Sequence, residues 1–124
     1  MTAPAAGAGR NALVKASAIG TVAQLAMVLA GHRSTDIAGM FALLGTTISG
    51  VAGFLVPFLG KPMPMPAAAR GGTLAGGIAA VLGILVSHLL GDVPLSTVAL
   101  GGGMSAVAGA IGGVIGQRLG ARSA

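Results

Sequence analysis

Four uncharged, apolar stretches recur along the chain, set apart by short clusters of proline, glycine and charged residues. They cover 16–31, 37–60, 71–91 and about 95–117. None alternates polar with apolar residues, as a half-buried strand would. Their lengths suit helices crossing a bilayer, which needs about 20 residues, better than barrel strands of about 10. The pattern predicts an all-α integral membrane protein with four transmembrane helices. A tail, 1–10, is expected to be unstructured. A first two-helix unit follows at 11–60, with Pro57 tolerated in the last turn of its second helix. The run KPMPMP, within a connection at 61–70, alternates with proline and is expected to be extended. A second two-helix unit at 71–117 precedes a basic tail, 118–124.

The two units are copies. An offset of 56 residues lays LGTTISGVAGFLVPFLG (44–60) on LGGGMSAVAGAIGGVIG (100–116), His32 on His88 and Asp36 on Asp92. Each copy has an even number of spans, so both insert in the same sense, as parallel repeats. The expected relation is a pseudo-twofold axis along the membrane normal. Val28-Leu29-Ala30 resembles a signal-peptide cleavage site. The internal counterpart of the first segment argues that it is retained as a span.

The repeated stretch places small residues four apart: Gly45, Ser49 and Gly53, then Gly101, Ser105 and Gly109. Residues four apart share one helix face, so each copy carries a stripe that another helix can approach closely. The 23 glycines would each weaken a helix in water by about 1 kcal/mol relative to alanine. In lipid an unpaired backbone amide costs more, and the helix persists.

Composition agrees. Of 124 residues, 54% are hydrophobic and 7% charged, with a mean hydropathy of +0.94. Soluble domains carry about 25% charged residues to cover their surface. The net charge of +5 is scattered at segment ends, which reads as a topology signal and not as a nucleic-acid patch. Arg10, Lys15, Lys61, Arg70, Arg118 and Arg122 fall on one side of a four-span topology and Arg33 on the other. The positive-inside bias puts both termini in the cytoplasm and the protein in the inner membrane. Without tryptophan or tyrosine there is no interfacial aromatic belt, and helix partners must set the depth.

Candidate chemistry is sparse. There is no cysteine, which removes disulfides and thiolate sites. No phosphate-loop pattern occurs. The doubled His-x-x-x-Asp, His32/Asp36 and His88/Asp92, falls at the outer ends of the helices. One reading is helix capping, with histidine at a C-terminus and aspartate before the next N-terminus. The other is a single outer cluster able to bind a divalent metal or sense protons. Met63 and Met65 are explained by the loop itself, and no metal site or cofactor is assigned.

The glycine-rich fourth segment resembles the rotor subunit of rotary ATPases, and the four-span size resembles small multidrug exchangers and fluoride channels. The membrane carboxylate that marks the first two, and the asparagine and Phe-rich motifs of the third, have no counterpart here. The leading expectation is a non-catalytic membrane protein, not an enzyme. It would self-associate as a homo-oligomer, or join a larger membrane complex, through its small-residue faces. A holin-like pore or permeation protein is the alternative, and an outer His/Asp metal or proton site the third.

Overall fold

A computed structural model describes residues 2–60 and 63–123, with side chains described for 9–60 and 63–120. Lys61 and the Arg122 side chain lie outside the described residues. All regular structure among these residues is helical: α1 (Thr2–Arg33), α2 (Thr35–Ala38), α3 (Phe41–Leu59), α4 (Met65–Leu89) and α5 (Ser96–Ser123). Four helices are long and apolar enough to cross a membrane: Gly9–Arg33, Phe41–Leu59, Met65–Leu89 and Ser96–Gly120. The chain is a multi-pass, all-helical membrane protein by this criterion.

The element bounds depart from the hydropathy reading in four places, one of them at the C-terminal end, where α5 runs through the expected basic tail to Ser123. Helical backbone runs back to Thr2, joining the expected tail to the first span. That segment is rich in alanine, the best helix former, and its Pro4 falls in the first turn, where no intrahelical N–H bond is lost. The fourth helix begins at Met65, inside the expected loop, because Pro66 sits in its first turn where proline is preorganised for helix. The second segment is interrupted: Ser34 caps the single turn α2, and Gly39 and Met40 close it before α3 starts. The 19 residues of α3 span about 28 Å at 1.5 Å each, close to the hydrocarbon thickness.

The helices follow the order α1, α3, α5, α4 around the bundle, and α3 and α4 also meet across its middle. Among the described residues α1 shows no matching close packing on α5. A twofold axis along the membrane normal would exchange α1 with α4 and α3 with α5, turning the α3–α4 contact into an equal α5–α1 contact. The two hairpins therefore lie side by side, and the expected pseudo-twofold relation does not hold.

Packing inverts the soluble pattern. The interior is small: Ala16, Ala52, Val56 and Ala75 form its core cluster. Large residues point outward, as with Leu100, Met104, Val107, Ile111, Ile115 and Leu119 along α5. Hydrocarbon solvates those side chains as well as a core would, so association between helices rests on close van der Waals contact instead. Glycine supplies the contact. A Cβ at Gly109 would fall on the Gly72 carbonyl of α4, and one at Gly53 would fall on the backbone of Gly109. Three helices thus share one node. From Gly50 and Phe54, meeting Gly112 and Gly116, α3 and α5 stay in backbone contact toward their C-terminal ends. In the other half Gly45 meets Gln24 of α1, and Gly101 meets Ile84 of α4. The parallel pair α3–α5 is closed at one end and splayed at the other.

Candidate functional site

The splayed half encloses a cavity of about 340 Å³. Every long helix contributes to its wall: Gln24 and Val28 from α1, Gly45 and Thr46 from α3, Ala80 and Ser87 from α4, Thr97 and Ser105 from α5. Ala38 and Val93, from the two connections at the His32 end, also line it. So do Ala42, Leu100 and Met104, which are themselves exposed, so the cavity opens between α3 and α5 as well. No charged side chain and no histidine lines it. What it offers is a mostly apolar surface with one amide and a few hydroxyls.

Gln24 forms the polar floor and is 2% exposed. Its Nε2 donates to the Gly45 carbonyl at 3.0 Å and to Ser49 Oγ at 3.1 Å. The Gly45 oxygen can only accept, which fixes the amide nitrogen on that side. Ser49 Oγ in turn donates to the Gly76 carbonyl at 3.2 Å. The chain links α1, α3 and α4 through buried atoms, and no bond among the described residues uses Gln24 Oε1. Ser87, also 2% exposed, has a buried hydroxyl without a partner. Neither residue stood out in the sequence. The available signal for Gln24 was the repeat, which sets it opposite Ala80, another residue of the cavity wall.

The small-residue stripes lie inside the bundle. Gly45 and Ser49 serve the Gln24 network, Gly53 and Gly109 the three-helix node, and Gly101 packs on Ile84. Ser105 is buried with its carbonyl against Gly76. Apart from Gly101, half-buried on the cavity wall, these residues are buried within one chain.

The His and Asp residues are brought together only in part. Gly91, at φ 81°, sits in the left-handed region that ends α4. Its N–H donates to the His88 carbonyl, and the Asp92 N–H to the Ser87 carbonyl. This is the Schellman arrangement, which needs glycine at that position. It carries Asp92 to α1, where His32 Nδ1 lies 2.8 Å from Asp92 Oδ2. The pair joins residues of different repeats and not the two members of one His-x-x-x-Asp. His88 Nδ1 instead donates to the Val93 carbonyl at 2.9 Å, in its own turn. Asp36 is exposed in α2, whose cap is Ser34. Among the described residues no three of these side chains gather around one point.

The pairing predicts a specific coupling. His32→Ala and Asp92→Ala should each cost little, because the side chains are 44% and 26% exposed and such pairs contribute about 0.2–1 kcal/mol. In the double variant the losses should fall short of their sum, whereas His88→Ala and Asp36→Ala should add to either. Thermal unfolding in detergent measures this, and additivity of His32→Ala with Asp92→Ala would remove the pair from the account.

Comparison with protein-family models, curated proteins and solved structures finds no match to this chain.

Proposed function

We propose that the chain is a non-catalytic inner-membrane protein that holds a small uncharged molecule in the cavity between its splayed helices, with that cavity facing outward. The cavity itself carries this reading. It is walled by all four spans, floored by a buried amide, and free of the ionisable side chains that acid–base or ion-coupled chemistry uses. Orientation rests on the cations. Ala12 packs beside Gly60, which sets the Arg10–Lys15 end of α1 beside the Pro-Met loop. Arg70 and Arg118 are also exposed in the half of the bundle near that loop. The positive-inside bias makes that end cytoplasmic and the His32 end external.

A through-pore fits less well, since glycine backbone contacts fill the other half of the bundle. An accessory-subunit role would have to use the outward ridges of large residues, because the small faces are largely buried within the chain.

The natural absence of cysteine makes the test direct. Thr97→Cys and Thr46→Cys, both on the cavity wall, should react with a membrane-impermeant maleimide added outside intact cells. Ala52→Cys, in the closed core, should not, and Arg70→Cys should react only after the cells are opened. Reaction of Arg70→Cys from outside would reverse the orientation. Inert cysteines at both threonines would remove the external cavity.

A further inference from the structure

We infer that the molecule the cavity takes is a neutral, largely apolar compound of about a dozen heavy atoms bearing a single hydroxyl. This rests on the cavity reading above and assigns its ligand class. Size comes first. An apolar cavity of about 150 Å³ accommodates benzene, so the 340 Å³ here suits a body roughly twice as large. Charge is excluded by the wall, which has no ionisable group to compensate it.

The hydroxyl follows from two atoms left over. The Ser87 hydroxyl is buried without a partner, and such a group carries its desolvation cost until something bonds it. Gln24 Oε1 is an acceptor that no described hydrogen bond uses, on an amide whose nitrogen is fully engaged with Gly45 and Ser49. Gly83 of α4 packs directly on Gln24, and Ser87 lies one turn further along that helix. Both residues line the cavity, Gln24 from α1 and Ser87 from the facing helix α4. A ligand hydroxyl can donate to Gln24 Oε1 and accept from Ser87 Oγ, which satisfies both. A carbonyl could only accept, and would leave Oε1 facing another acceptor. The opening between α3 and α5, lined by exposed Leu100 and Met104, gives an apolar molecule dissolved in the bilayer a way in.

The probe pair 2-naphthol and naphthalene separates the hydroxyl from the apolar body. Wild-type protein in lipid nanodiscs should bind 2-naphthol saturably and about tenfold more tightly than naphthalene, the effect of one or two net hydrogen bonds. Ser87→Ala should reduce that preference to about threefold, because the bond to Gln24 Oε1 remains, and should leave naphthalene binding unchanged. The same variant should be at least as heat-stable as wild type without ligand, since it deletes an unpaired hydroxyl. Thr46→Leu, which fills the cavity, should abolish saturable binding of both probes. Equal affinity of wild-type and Ser87→Ala protein for 2-naphthol would overturn the hydroxyl assignment. Absence of saturable binding by either probe, in protein whose Thr46→Cys variant still reacts from outside, would overturn the ligand class while leaving the external cavity standing. Unreactive cysteines would remove both.

Discussion

Gly109→Leu is expected to destroy the bundle, with a loss above about 3 kcal/mol, beyond the usual range for an overpacked core. The reason is the kind of atom in the way. A side chain that meets another side chain can change rotamer, but a Cβ at position 109 meets the carbonyl and Cα atoms of Gly72 and Gly76. Backbone can yield only by moving a whole helix. Because Gly53 of α3 packs on the same residue, α4 cannot be displaced from α5 without disturbing the α3–α5 contact. Gly103→Leu is the matched control, six residues earlier on the same helix, exposed and with open space around its Cβ position. It should stay within about 0.5 kcal/mol of wild type. Leu59→Ala, on the exposed side of α3, should also matter little. Size-exclusion profiles and thermal unfolding in detergent measure all three. If Gly103→Leu and Gly109→Leu behaved alike, the node would not hold the helices together.

That node was legible in the sequence, since Gly53 and Gly109 sit on stripes whose spacing alone marks a close-packing face. What the spacing does not specify is which helix occupies the face. A stripe that docks on a neighbour in the same chain reads no differently from one that docks on a second copy, and here the neighbour is internal. The same gap hid the His32–Asp92 pair. The repeat aligns His32 with His88, but contact across the bundle depends on helix order, and the side-by-side hairpins bring Asp92 to α1 without a reciprocal pairing of His88 with Asp36. Hydropathy located four spans because lipid imposes length and composition on every one of them. It passed over the break at Gly39 and Met40, since one capped turn barely alters the mean.

Gln24 is less legible still, and it carries the second large effect. A lone amide in a long apolar segment hardly changes mean hydropathy, and the carbonyl and the hydroxyl it serves both lie on a different helix. Gln24→Ala is expected to cost about 2–4 kcal/mol, comparable to other large-to-small changes at a buried site. Part of the loss is volume, for Gln24 is among the largest fully buried side chains. The rest is hydrogen bonding, which between membrane helices averages about 0.6 kcal/mol and reaches about 1.7. Gln24→Met separates the two, because it keeps the length of the side chain and removes only the amide. Its cost should fall to about 1–2 kcal/mol for the bonds to the Gly45 carbonyl and Ser49 Oγ. Ser49→Ala breaks one of those bonds and also the bond to Gly76, so it should be destabilising alone. Combined with Gln24→Met it should cost less than the sum, by about the worth of the shared bond. A Gln24→Met protein as heat-stable as wild type, with strict additivity toward Ser49→Ala, would show that the amide holds no helices together.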